Sequence, residues 1–452
     1  MESFLVQSAF NDYLGPPGPA PELAALREAL DATKAVRTRD DMYFTPLPAP
    51  LLLDREQNAY LRHASERLVA LLTTELGTYV ADEAELLDVL RIGPVLRPFV
   101  REALAADVTV ARCDFLWSRE GWRVVEVNIG GPVGGLDVRG YNDLAAKNPL
   151  VGPFLTENGL DAGSPIDALA EATRRACERL GVAAARPVIA IVDSPEFEPI
   201  YHLAYRRLVE HYAANGFDAV ICHQGTLSVR NGHLFSGELH IDAVHRQFIL
   251  EDMLTEPELA LPVLQAASAG TTALISGFRE ELLGCKGMLA VLRDAAVRGL
   301  LSAEDAHLVL DVVPETVLLH RPDRAGFSGA GDPQVLRDAT AADWVVKPSI
   351  GSSGGGVTLG AGVDEGTFRD AARAATGSDD AWVAQRFVRS DPVTLPLLRD
   401  EELTFGGCQI HPSFFVTEGR ATGAWTRALP GQAARLVAMV NGALFGGVYA
   451  PH

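Results

Sequence analysis

Lysine is nearly absent. Of 39 basic residues only four are lysines, Lys34, Lys147, Lys286 and Lys347, and the rest are arginines. A lysine kept against that background is a candidate for work that needs a compact ammonium, which the planar guanidinium does not imitate. Cysteine is also sparse. Cys113, Cys177, Cys222, Cys285 and Cys408 are far apart and form no CxxC pair. That excludes a disulfide framework or a cysteine-spaced metal site and fits a reducing cytosol. No apolar run is long enough to cross a membrane. The uncharged stretch between Glu258 and Arg279 contains Pro262, Gln265, serines, threonines and glycines, and the tail from Leu436 to His452 is broken by Asn441 and glycines. Both read as soluble segments. The start, MESFLVQSAFNDYLG, lacks a basic stretch ahead of an apolar one, so no secretory signal is expected and a cytoplasmic location is. Positive charge is in deficit, with 59 acids against 39 bases and a net charge of −20. Broad binding to nucleic acid or an anionic membrane is therefore not expected. An anionic small molecule in a local basic pocket is still allowed.

What is present is an ordinary globular composition, 48% hydrophobic and 22% charged over 452 residues. That length suggests roughly three lobes of about 150 residues. Residues 1–108 read as a helical lobe, with apolar residues recurring at three and four in segments 21–36, 56–77, 83–91 and 96–106. Residues 109–150 open with alternating patterns, VTVARCDFLW and WRVVEVNIGG, joined by SREG, which predicts a β-hairpin. Residues 151–270 alternate helix and strand around RPVIAIVD and FDAVICH, which predicts a small parallel sheet. Residues 271–452 carry helices near 253–268 and 280–298 at their border, then a mobile linker HRPDRAGFSGAGDP. The strands DWVVKP and AWVAQRFV and a late hairpin follow. The fold class expected is α/β (α+β).

Two segments carry the chemistry. In WVVKPSIGSSGGGV a strand delivers Lys347, and a loop of Gly351, Ser352, Ser353, Gly354, Gly355 and Gly356 follows. Glycines let backbone N–H groups approach phosphate oxygens, and the lysine adds a point charge. The lysine precedes the loop, so this is not a Walker-type P-loop, and no GxGxxG opens a helix. A nicotinamide fold on RPVIAIVD is disfavoured for the same reason. In ARCDFLWSREGWRVVEVNIGG, Arg112 and Asp114 share one strand face, and Glu126 and Asn128 share another. Folding at Arg119–Gly121 would bring those faces together. Two carboxylates and an amide oxygen suit Mg²⁺, which takes one or two carboxylates with substrate phosphates. The valines around Glu126 indicate a buried strand, where unpaired acids are rarely placed. Lys286 opens an apolar helix, where ammonium and helix N-terminus would both attract phosphate.

Together these pieces resemble the ATP-grasp superfamily. The glutamate–asparagine strand comes more than 200 residues before Lys347, an order similar to that of the circularly permuted branch, the glutathionylspermidine synthetase-like carboxylate–amine ligases. GELHIDAVHRQF, with Arg246, and the closing GGVYAPH are similar to that branch as well. The resemblance implies ATP and Mg²⁺ as cofactors, with Lys286 and Lys347 on the ATP phosphates and the glycine loop closing over them. Gln385, Arg386, Phe387 and Val388 would offer backbone groups to adenine. Asp114, Glu126 and Asn128 would hold Mg²⁺. Arg112 would face the transferred phosphoryl group, and Arg427 would hold an oxyanion or the substrate carboxylate. The partners implied are a small-molecule carboxylate and an amine, joined through an acylphosphate. A kinase-like phosphoryl transfer and a non-catalytic nucleotide-binding protein stay open as alternatives. Two departures stand out: Cys285 replaces an asparagine usual before the first lysine, and residues 1–108 do not resemble a Cys/His amidase domain.

Overall fold

A computed structural model describes residues 4–32, 37–39, 42–43, 45–100, 106–135, 138–337, 339–351, 354–431 and 435–451. The fold is mixed α/β with several sheets. Among the described residues no helix is long and apolar enough to cross a membrane.

The largest sheet has nine strands. At one end lies the early hairpin, Val110–Ser118 and Gly121–Ile129, beside the late hairpin, Glu402–Thr417 and Arg420–Pro430. The two hairpins meet where Ser413 pairs with Asp114 and Phe415 with Arg112. The last strand, Leu444–Pro451, continues the sheet beyond the late hairpin. Side chains alternate across a strand, so the sheet has two distinct faces. One carries Cys113, Phe115, Val127 and Phe414, which join a core with Leu61, Ala64 and Leu68 of the Arg55–Leu72 helix. The other carries the polar residues.

A second sheet is parallel, as expected. Val188–Asp193 lies between Asp218–His223 and Ala243–Arg246, and Ala273–Ile275 closes the edge. The Asn231–Gly232 turn has positive φ at both residues, 52° and 84°, the geometry that favours Asn-Gly in a two-residue hairpin. A third sheet is antiparallel, ordered Thr316–Leu318, Trp382–Arg386, Trp344–Pro348 and Thr358–Leu359.

Several expectations are corrected. The segment expected as a helix over 96–106 forms turns through residue 100, where Leu96 N and Arg97 N both donate to the Gly93 carbonyl and Phe99 N to the Leu96 carbonyl; residues 101–105 lie outside the described residues. The helix expected over 280–298 is two helices, Phe278–Leu283 and Lys286–Val297. Gly284 separates them, where any Cβ would come within 2.5 Å of the Ile129 nitrogen. The segment expected as a mobile linker packs through short turns at Ala325–Ala330, with Phe327 and Ala330 buried. The helical lobe also lends Leu51–Leu52 to the large sheet, beside the last strand. Pro392–Arg399 is a further strand, against Glu402–Thr417.

Candidate active site

The polar face of the large sheet meets the third sheet and the N-terminus of the Lys286–Val297 helix. The hairpin register pairs Arg112 with Asn128 and Asp114 with Glu126, the coincidence of faces that the sequence predicts. A bulge follows Asp114, which ends the strict alternation there. Gly130, just past this strand, has φ +65°, and a Cβ would lie 2.6 Å from the Gly277 carbonyl. Only glycine allows that approach, which seats the hairpin end against the Phe278–Leu283 helix.

Asp114 is fully buried between two guanidiniums. Arg112 Nε and Nη2 donate to its two oxygens at 2.7 and 2.9 Å, and Arg427 Nη2 donates at 2.9 Å. Burial pushes the Asp114 carboxyl up, but Arg112 and Arg427 outweigh it and hold the group well below the ordinary carboxylate range. Arg112 also donates to the Val133 carbonyl at 2.6 Å. Arg427 is thereby anchored at the site, on a carboxylate of this chain.

Glu126 is bound differently. Its Oε1 lies 2.8 Å from Lys286 Nζ, and the Glu126 side chain keeps 29% exposure. Burial raises its carboxyl, while Lys286, with help from Lys347, brings it below the usual value. Lys286 Nζ also donates to the Gly351 carbonyl at 2.8 Å. Lys347 Nζ donates to the Val125 carbonyl at 2.9 Å and to Gln385 Oε1 at 2.8 Å. Burial lowers the Lys347 ammonium to about 8, with Glu126 opposing the shift. Residues 222 positions apart in the chain thus touch here.

Three expectations need adjustment. The first amides of the lysine helix are already used, since Lys286 N donates to the Ser349 carbonyl at 2.9 Å and Gly287 N to Ser349 Oγ at 3.1 Å. A phosphate there would meet the ammonium rather than those two N–H groups. The amides of Arg386 and Phe387 donate to the Glu315 and Asp343 carbonyls, both at 2.8 Å. They are not free for a base, and the Arg386 guanidinium lies over Trp344. Gln385 is buried and spends its side chain on Lys347 and Thr316; Val388 is half-buried at the end of this segment. Among the described residues no group of three or more acid, histidine or cysteine side chains could hold a metal ion without further ligands. Asp114 is committed to two arginines, so Glu126 and Asn128 are the metal candidates with open capacity. In the glycine loop, Gly354, Gly355 and Gly356 form an exposed turn, while Ser352 and Ser353 lie outside the described residues.

His411 and Asp193 each stand alone in the sequence and carry no assignment from it. His411 lies opposite Arg427 in the late hairpin and is buried on the polar face. It stands two residues before Ser413 on a strand of period two, but only the register shows which face that is. Asp193 is elsewhere. It ends a strand of the parallel sheet and accepts from Tyr205. A cavity of about 580 Å³ lies on the opposite side of the large sheet, lined by Arg62, Glu66 and Phe414, and holds none of the residues described above.

No protein-family model matches this chain, and no curated protein does. Solved structures do. A glutathione synthetase-like effector from Globodera pallida, in its apo form, superposes with a TM-score of 0.63 at 12% identity, over 95% of this chain and 96% of that one. The fold is therefore shared across nearly the whole length of both proteins. A putative gamma-glutamylcysteine synthetase from Methylobacillus flagellatus matches at TM-score 0.42 and 13% identity, over 84% of each chain. D-cycloserine synthetase matches at 0.31 and 13% identity, over 57% of this chain and 94% of that one.

Proposed function

We propose that this protein is an ATP-dependent carboxylate–amine ligase on a circularly permuted ATP-grasp scaffold. The observation that carries the reading is the meeting of Lys286 and Lys347 with Glu126 at one end of the polar face, beside the Arg112–Asp114–Arg427 group. The fold shared with a glutathione synthetase-like effector supports it. So does the union of an early and a late hairpin in one sheet, as a permuted scaffold requires. On this reading residues 109–150 supply the Mg²⁺ hairpin, 151–270 a small α/β lobe and 271–452 the nucleotide lobes, with 1–108 packed behind.

In the proposed reaction Lys286 and Lys347 exchange carbonyl and carboxylate partners for ATP phosphates. The loop from Gly351 to Gly356 covers them, and the Gln385–Val388 segment borders the base. Glu126 and Asn128 would hold a Mg²⁺ ion, because one or two protein ligands suffice for that ion when substrate phosphates are present. When bound, Mg²⁺ neutralises charge on the phosphates. Arg112 and Arg427, held in place by Asp114, face the charge that develops as a carboxylate oxygen attacks the γ-phosphorus. ADP leaves and an acylphosphate remains. The covered site keeps water from it. An amine then attacks the acyl carbon, phosphate departs and an amide forms.

The test is a screen with Mg·ATP, single L-amino acids as carboxylates and a second amino acid as the amine. A stable amide formed in step with ADP, with ADP release dependent on both substrates, supports the ligase. ADP release that needs the acid but not the amine, with phosphorylated acid accumulating, would indicate phosphoryl transfer instead.

A further inference from the structure

His411 shows a buried imidazole with work left undone. It is 7% exposed, and among the described residues Nδ1 has no hydrogen-bond partner. Its direct cross-strand neighbour, Arg427, has a second such atom, Nε. Directly paired residues point to the same face, so both open atoms belong to the polar side of the sheet. Leaving a buried polar group unsatisfied costs about 1–3 kcal/mol. The neighbouring charge is lopsided. Arg427, Arg112 and Lys347 all act on the ring, and Asp114 opposes them. Burial first, and then Arg427, hold the imidazole well below its ordinary value, so it is uncharged at neutral pH. Three cations draw an anion to this place. An uncharged ring can then give a directed hydrogen bond without adding a fourth positive charge, a known use of neutral histidine in catalysis.

We infer that His411 is a further residue of the reaction centre, hydrogen-bonding, beside Arg427 Nε, an oxygen of the phosphoryl group in transfer. This rests on the nucleotide reading above. Lys347 and Arg112, which that reading puts on the phosphates, are the same groups whose charge reaches the ring. No proton changes hands in this role, so no other reactant is needed.

The test uses the full chain labelled with ¹⁵N-histidine, with the His411 ring signals assigned by their loss in His411→Asn. Mg·ADP is added first, and beryllium fluoride, a stand-in for the phosphoryl group, second. The expected result is that the His411 signals move on the second addition and not the first. By calorimetry His411→Phe should bind Mg·ADP within about twofold of the parent and lose at least tenfold of the affinity that beryllium fluoride adds. His411→Asn, whose amide can replace Nδ1, should keep most of it. Ring signals indifferent to beryllium fluoride, or a His411→Phe protein that keeps the added affinity, would overturn the inference while leaving the nucleotide site standing. If the parent protein does not bind Mg·ADP at all, the nucleotide reading itself fails, and this inference with it.

Discussion

Arg246 and Arg427 are both arginines on strands, one fully buried and one half-buried, and their surroundings differ in kind. Arg246, at the end of a parallel strand, is wholly enclosed. It donates to the carbonyls of Ser276, Phe248 and Gly277, pairs with Glu281 at 2.7 Å and stacks against Phe248 and Phe278. Its hydrogen-bonding capacity is spent inside the chain. Arg427 shares Asp114 with Arg112, and among the described residues its Nε, and Nδ1 of its cross-strand partner His411, have no hydrogen-bond partner. The first arrangement holds the fold together, and the second leaves polar atoms that the proposed reaction would use. Charge alone does not separate the two. The use of each guanidinium's own donors does, since Arg427 Nε lacks a partner among the described residues while Arg246 Nε, Nη1 and Nη2 all donate.

Substitutions can break this comparison from either side. The largest effect on stability is expected at Arg246→Met, which strands Glu281 without its partner. Removing one member of a buried ion pair costs about 3–5 kcal/mol. Urea unfolding should show a loss of that size. A loss under about 1 kcal/mol would mean that the arginine is not structural. Lys347→Ala should do the reverse. Turnover should fall about 10²–10³-fold, the scale of losing one preorganised charge at a reaction centre. Stability should change by about 1 kcal/mol or less, because burial already penalises that ammonium. Steady-state kinetics and urea titration of the same variant read both numbers.

A smaller effect comes from pH. The Lys347 ammonium titrates near 8 in the free protein, and bound phosphate would favour its charged form. Mg·ATP affinity should therefore be steady below that pH and fall above it, by at most about tenfold per pH unit. Calorimetry from pH 6.5 to 9.5 checks the direction, and affinity that rises with pH would contradict it. A pH effect on stability alone is expected at Asp193, outside the site. Burial raises its carboxyl to about 6, above the unfolded value, with Tyr205 opposing. Its contribution to stability is thus complete below about pH 4 and lost as pH rises through 6. Asp193→Asn should flatten that part of the stability profile and leave Mg·ATP binding unchanged.

Much of the site was legible in the sequence because its residues obey local rules. The period of two and a short turn put Arg112, Asp114, Glu126 and Asn128 on one face, and the hairpin register bears that out. The scarcity of lysine singled out Lys286 and Lys347, and both lie against the early hairpin. Other features depend on contacts between distant segments, which periodicity does not encode. Asp114 reads as a metal ligand until Arg427, 313 positions later, is seen to take its second oxygen. The helix break at Gly284 is set by Ile129 pressing on it. His411 has no local motif, and its place follows only from its pairing with Arg427.

Glu126, Lys286 and Lys347, which meet at one end of the polar face, are proposed to form a site for Mg·ATP. The most direct measurement is thermal unfolding of the parent and Glu126→Gln proteins, each with ATP alone and with Mg·ATP. A ligand that binds only the folded state at one hundred times its dissociation constant adds about 2.7 kcal/mol. The expected result is a rise in the unfolding temperature that requires Mg²⁺ and shrinks in Glu126→Gln. No rise at millimolar Mg·ATP, or an equal rise in both proteins, would contradict the assignment.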